Sequence, residues 1–365
     1  MVLASSDLAS LADALDRGLS LPASWYTDPA IFALERERIF RRSWQYVGRA
    51  EQVARVGDYF TAAVGEIPVV VVRSAEGLEA FVNVCRHRRH EVMSGEGNCK
   101  VMQCPYHAWS YNLDGSLRAA PRSERESGFS REDYPLLSLR IDTWGRWIFV
   151  SPDPDAAPLA SILGELPRIL AGSGMDLARL ELRKREEWAR AVNWKVMIEN
   201  FLECYHCPVQ HPGFSAVIDV RPDAYRLEAH RWFSSQAGSV RETISGETPP
   251  YDAEGDVREA QYRYLWPNVT ISINPGQPNL SLDVWIPDGP GRTRGLAEHY
   301  FGPDVSSDWA EDMMAFNAQV GEEDERLTDS VQRGLRAGLP EQGRFLVNSE
   351  HLVIHFQRLV LAALS

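Results

Sequence analysis

Two short stretches bring cysteine and histidine together at a spacing suited to iron and sulfur. Cys85-Arg86-His87 is followed, after sixteen intervening residues, by Cys104-Pro105-Tyr106-His107. Each half offers one thiolate and one imidazole. A 2Fe–2S cluster with two Cys on one iron and two His on the other asks for this set, and neutral His raises its reduction potential above that of an all-Cys cluster. Such a centre relays electrons rather than acting as a strong reductant. Tetrahedral zinc also accepts two Cys and two His, and a zinc protein would be colourless. Zinc fingers, however, usually pair like ligands as Cys-x-x-Cys and His-x-x-x-His. Val-rich runs at 67–73 and 79–84 read as strands leading into the first loop. Residues 106–117 read as a hairpin whose Asp114-Gly115 turn tolerates positive φ.

A second constellation lies in Asn193-Trp-Lys-Val-Met-Ile-Glu-Asn-Phe-Leu-Glu-Cys-Tyr-His-Cys-Pro-Val-Gln-His-Pro212. On an unbroken helix His206 and His211 would point about 140° apart. Pro208 and Pro212 end the helix and let the chain turn, so both imidazoles can reach one metal. Glu199, Leu202, Glu203 and His206 fall at helical spacings, predicting one shared face. Two His plus one carboxylate, with the other positions open, is the ligand set of non-haem Fe(II) that activates oxygen. The carboxylate is sought on a helix predicted near 307–336. Its apolar residues Trp309, Met313, Phe316, Val320, Leu327, Val331 and Leu335 cover an arc of about 100°. Asp324 falls inside that arc, Glu323 just beyond its margin, and Gly321 is where the helix could break. A salt-bridged Asp on a packing face is the alternative to a ligand.

Cys85-x-His87 with Cys104-Pro-Tyr-His-Ala-Trp-Ser-Tyr-Asn-Leu-Asp-Gly-Ser-Leu117 resembles the cluster-binding segment of the Rieske non-haem iron oxygenases. Ala108 stands where many members carry Gly. The resemblance implies a 2Fe–2S cluster on Cys85, His87, Cys104 and His107, and a mononuclear Fe(2+) on His206, His211 and Asp324. The Glu323-Asp324 pair ahead of Val331-Gln-Arg-Gly-Leu335 matches the family's third ligand. Glu203 resembles the acid that bridges, across a subunit interface, to a cluster-ligating His of the neighbour, where many members carry Asp. That implies a homotrimer of head-to-tail subunits. Electrons would come from NAD(P)H through a flavin and iron–sulfur reductase, with or without a ferredoxin. Asn200 and Glu199 are candidates to orient the ligands. The string Glu-Cys-Tyr-His-Cys resembles the branch acting on carnitine and glycine betaine. Hydroxylation and N-demethylation of an N-methylated or quaternary ammonium compound is therefore the expected activity. An aromatic-ring-hydroxylating dioxygenase is the alternative, because kinship of fold does not choose the substrate.

The elements that must position these groups predict an α+β protein. An N-terminal helical segment, 1–44, packs on the catalytic domain. An antiparallel β domain at 45–158 holds the cluster. A helix-grip domain at 159–365, antiparallel strands around a long helix, holds the iron. Helices are expected near 159–175, 194–206, 307–336 and 349–364, and strands near 180–192, 226–245 and 262–300. A net charge of −13 without a Lys/Arg cluster argues against a nucleic-acid partner. No stretch approaches twenty apolar residues, and the start lacks a signal-peptide pattern, so a cytoplasmic protein is expected. Five Cys, two of them assigned to the cluster, suit reduced thiols, and Cys204 and Cys207 are read as packing residues. His351 and His355 are read as core. Trp232, Tyr264, Trp266 and Trp285 are candidate pocket walls, with strand register deciding which face inward.

Overall fold

The computed structural model describes residues 5–241 and 249–365. The chain divides into two compact units, one of residues 36–161 and the other of 1–35 with 162–365. The expected strand at 226–245 runs partly into residues outside the described range.

In the smaller unit, Ile67–Arg73 lies between Asp58–Val64 and Leu78–Val82 in an antiparallel sheet whose far edge is Glu96–Asn98. Its run of four valines is explained by burial on both faces. Val69 and Val71 pack with Phe60, Ile148 and Val150, whereas Val70 and Val72 pack with Phe81, Cys85, Met102, Cys104 and Tyr111. Alternate residues of a strand point to opposite faces, so a strand buried twice shows no polar alternation. The hairpin turn forms as predicted. Gly115 takes φ +82°, and a Cβ there would lie 2.4 Å from the Phe81 ring, so only Gly closes the turn against the core.

The larger unit is a seven-stranded antiparallel sheet with the iron-site helices against one face. Its strands are β1 (Glu181–Arg190), β2 (Arg226–Ala229), β3 (Phe233–Ser239), β4 (Glu259–Leu265), β5 (Val269–Ile273), β6 (Asn279–Pro287) and β7 (Thr293–Phe301). They lie in the order β1-β7-β6-β5-β4-β3-β2. The helices that matter are α1 (Trp194–Phe201), α2 (Cys207–Gln210), α3 (Pro212–Val217), α4 (Ser307–Ala337) and α5 (His351–Leu364). The fold is the α+β class expected, a small β domain followed by a sheet gripping a long helix.

Asn193 caps α1 by accepting the Lys195 amide at 2.9 Å. A buried ion pair between Lys195 and Glu35, with Trp194 Nε1 donating to Glu35 at 2.9 Å, ties the N-terminal segment to α1. A second tie runs through Glu199, which accepts from Tyr26 Oη at 2.7 Å and from Gln357 Nε2 at 2.8 Å. Burial pushes the Glu199 carboxyl up to about 7, against those two bonds and the charge of Lys195. Its work is thus to anchor α1.

Gly321 does not break α4, which runs unbroken from Ser307 to Ala337 and carries Ser306 as its cap. Beyond Asp324, however, the buried residues are Thr328 and Gln332, and Val331 is exposed. Polar bonding overrides apolar spacing here. Gln332 Oε1 accepts the Asn193 amide at 2.7 Å, and Thr328 Oγ1 donates to the Asp324 carbonyl at 3.0 Å. His351 and His355 of α5 are only half-buried beside its buried apolar residues, so neither is the core residue expected.

Candidate metal centres

The two Cys–His loops are conformational copies of each other. The Cys85 amide bonds the His90 carbonyl at 2.8 Å, and the Arg89 amide bonds the Cys85 carbonyl at 3.0 Å. In the second loop, Cys104 bonds Trp109 at 2.9 Å and Ala108 bonds Cys104 at 3.1 Å. Arg89 and Ala108 occupy the same left-handed position, at φ 61° and 60°. Both sulfurs are buried, while both imidazoles reach the surface. Cys104 is pushed above the usual thiol range by burial and by the neighbouring Cys85 thiol. The rings of His87 and His107 lie 4.6 Å apart, and Trp109 stacks on His87 at 5.1 Å. Tyr111 Oη sits 3.4 Å from Cys85 Sγ and accepts the Arg86 amide at 3.0 Å. Two thiols inside and two imidazoles outside is a fitting cradle for a mixed-ligand cluster.

The left-handed turn at position 108 is one that Gly adopts freely, whereas a Cβ there meets the following carbonyl. Ala108→Gly is expected to stabilise this unit by about 0.5–1 kcal/mol, the relief of that clash less the extra chain entropy of Gly. Thermal unfolding followed at a visible absorption band of the cluster checks this, and a midpoint no higher than wild type would count against strain at Ala108.

In the larger unit, the helix predicted for 194–206 stops at Phe201, with Leu202 as its C-cap. Glu203 is the reason, for its carboxylate accepts the Tyr205 and His206 amides and so replaces the helical bonds. The shared helical face expected for Glu199, Leu202, Glu203 and His206 is therefore not formed. The turn also overturns the reading of Cys204 and Cys207 as separate thiols. It brings their Cα atoms to 5.0 Å, within disulfide reach, and the two are bonded.

Past this turn, α2 and α3 carry His211 back toward His206. His206 Nε2 and His211 Nε2 lie 3.1 Å apart, and Asp324 Oδ1 lies 3.5 and 3.0 Å from them. A metal bound at about 2.1 Å with right angles between its ligands would leave ligand atoms about 3 Å apart. The triad thus has the size of one face of an octahedron. Each imidazole's other nitrogen is occupied: His206 Nδ1 by Glu203, and His211 Nδ1 by Glu323 Oε2 at 2.7 Å. Those bonds direct both Nε2 atoms at the same point.

Burial disfavours charge on His206, but Asp324 and Glu203 outweigh it and raise the imidazole to about 9. His211 is raised too, by Asp324 and Glu323 against burial. Asp324 is held at about 2 despite burial by the two imidazoles and by a hydrogen bond with Asn200. Of the two orienting candidates, then, Asn200 faces Asp324 and helps hold its carboxyl low, whereas Glu199 bonds Tyr26 and Gln357. Glu323 was missed in that role, and the Glu-Asp pair was the signal for it.

Among the aromatics proposed for the pocket, Tyr264 and Trp266 pack on Phe356 of α5, and Trp232 lies under Arg231. By register, Tyr264 and Trp285 both point to the face that the iron-site helices cover. The rings around His211 are instead Phe214 at 6.5 Å and, stacked on Phe214 or tilted against it, Phe316 and Tyr262.

Residues 177–365 match the family described as ring hydroxylating alpha subunit (catalytic domain), and 43–140 match the Rieske [2Fe-2S] domain. The chain belongs to the Rieske oxygenase alpha subunits. As such it is an oxidoreductase with a 2Fe–2S cluster and a mononuclear iron, supplied with electrons by a partner reductase, and the zinc alternative falls away. It is 31% identical to the carnitine monooxygenase oxygenase subunit of Acinetobacter pittii, over 94% of this chain and 95% of that protein. It is also 31% identical to the chloroplastic choline monooxygenase of Beta vulgaris, over 93% and 75%. A solved structure described as a quaternary ammonium Rieske monooxygenase, reported with insights into carnitine oxidation by gut microbiota and inter-subunit electron transfer, superposes with a TM-score of 0.86. It shares 29% identity and covers 97% of this chain and 98% of its own. No described helix of this oxygenase subunit is long and apolar enough to cross a membrane.

Proposed function

We propose that this chain is the terminal oxygenase of a multicomponent monooxygenase that hydroxylates an N-methylated or quaternary ammonium small molecule, betaine- or carnitine-like. The observation that carries this reading is near-full-length similarity to carnitine and choline monooxygenases. Glu203, within Glu-Cys-Tyr-His-Cys, adds to it. In this reading Cys85, His87, Cys104 and His107 hold the cluster, and His206, His211 and Asp324 hold the iron. Bound there, the iron supplies dioxygen activation and the cluster supplies electrons, while the protein orients the substrate carbon. Glu203 and Glu323 fix the two imidazoles, and Asn200 fixes Asp324. Glu203 further links the iron site of one subunit to the cluster of its neighbour in a closed homotrimer. The reductase is a flavin and iron–sulfur protein using NAD(P)H, which suits the cytoplasm.

Hydroxylation of an N-methyl carbon yields a hemiaminal that releases formaldehyde and the demethylated amine. The test is a formaldehyde-release screen over betaines, carnitine analogues and N-methyl amines with a competent reductase. Oxygen- and NAD(P)H-dependent product from at least one of them is the expected result. Conversion of an arene to a cis-diol, with no N-methyl or quaternary ammonium compound consumed, would overturn the substrate assignment.

A further inference from the structure

One carboxylate on the inner face of the sheet, Asp283 of β6, has no compensating charge beside it among the described residues. Alternate residues of β6 point to opposite faces. Leu282 and Val284 point to one face and are buried, and Ser281, Asp283 and Trp285 point to the other. That second face is the one the iron-site helices cover. Tyr262, on the same face of β4, packs edge-on against Phe201 of α1 and donates to Asn274 Oδ1 at 2.7 Å. Asn274 in turn donates to Asn317 of α4 at 3.1 Å. Helix α1 itself lies against β6.

Asp283 stands between Thr270 of β5 and Ala297 of β7. Neither answers its charge. The Thr270 hydroxyl accepts Trp285 Nε1 at 2.9 Å, and Ala297 has nothing to offer. The nearest acid across the sheet, Glu186, is paired with Lys184 at 2.9 Å and His299 at 3.2 Å. Among the described residues, the Asp283 carboxylate has neither a hydrogen bond nor an ion pair. Protein surrounds it closely, yet part of its surface stays accessible.

A carboxylate left alone in such a place is costly unless a cation completes it. Burial, reinforced by Glu186, pushes its carboxyl up to about 7. Beside it stands an aromatic wall. Trp285 meets Trp188 at 5.1 Å, and Gly295 between them makes room, since a Cβ there would lie 1.9 Å from the Trp188 ring. Indole faces attract cations that cannot donate hydrogen bonds.

We infer that Asp283, flanked by Trp285, is the counter-ion that selects the cationic head group of the substrate. This rests on the quaternary ammonium reading above and names the residue that would enforce it. The group carries a fixed charge without an N–H, so a bare carboxylate near an aromatic face recognises it where hydrogen-bonding partners cannot. Asp283 is a specificity residue in this scheme, and the chemistry stays with the metal triad.

The experiment compares wild type, Asp283→Asn and Asp283→Glu, each with cluster absorption as the check on folding. Binding is measured for a trimethylammonium compound and for its neutral tert-butyl carbon isostere, together with turnover of the former with reductase. Wild type is expected to favour the cation. Asp283→Asn should raise KM and Kd for the cation about ten- to a hundredfold, leave kcat within about threefold and leave isostere binding unchanged. Asp283→Glu should keep the preference in part. If wild type oxidises the quaternary ammonium compound while Asp283→Asn prefers the cation just as strongly, the counter-ion role falls and the proposed function stands. If wild type binds cation and isostere alike, the counter-ion role falls with the charge selection it explains.

Discussion

Asp324→Ala is expected to abolish oxygenation while sparing the visible spectrum of the cluster. The reasoning is geometric. Among the described residues, Asp324 alone supplies a carboxylate oxygen within 3.5 Å of both Nε2 atoms, at 3.0 Å from His211 and 3.5 Å from His206. Without it two imidazoles remain, too few to hold Fe(II) against water. Iron should fall from about three atoms per chain to about two. Turnover should fall by roughly a thousandfold or more, equivalent to over 4 kcal/mol of lost transition-state stabilisation. The helix should survive, because Thr328 bonds the Asp324 carbonyl rather than its side chain. Metal analysis, the visible spectrum and coupled turnover, measured on one preparation, check all three points. Full iron content in the variant would remove Asp324 from the ligand set.

The chemistry of this chain was more legible than its local backbone. Cys85, His87, Cys104 and His107 are nominated because ligand type and spacing are themselves the signal, and the fold brings their two loops together. His206, His211 and Asp324 are nominated because a carboxylate on an apolar stripe, opposite two His near prolines, has few other uses, and the fold gathers the three. What periodicity could not foresee were places where a polar side chain takes over a backbone group. Glu203 ends α1 early by accepting two amides, and the same turn brings Cys204 to Cys207. Gln332 and Thr328 displace the apolar residues expected along α4 for a similar reason. Such bonds depend on the folded position of both partners, which a helical wheel does not contain. Asp283 escaped notice for the complementary reason. It lies in a strand that reads as ordinary alternation, and its significance comes from neighbours on other strands that leave it unpaired.

Glu203→Gln tests the most consequential part of the proposed electron path. One Glu203 oxygen holds His206 Nδ1 and the other accepts backbone amides, so the residue couples the iron ligand to the turn that carries it. Gln keeps the size and one acceptor oxygen, which is enough to hold the turn, but loses the charge. A charge-assisted bond contributes about 1.5–3 kcal/mol, against about 1 for a neutral one. If Glu203 only positioned His206, the variant would lose some iron affinity and recover its rate when iron is supplied in excess. If it carries electrons between subunits, the outcome is different. Both metals stay bound, the cluster is still reduced by reductase, and reoxidation of that cluster in the presence of substrate and O2 slows roughly a hundredfold. Glu203→Asp should retain measurable turnover because the charge remains. Rapid-mixing absorbance of the cluster separates the two cases, since only the second leaves a fully metallated enzyme with its electrons stalled. Near-normal reoxidation in Glu203→Gln would mean that electrons reach the iron by a route that does not need this carboxylate.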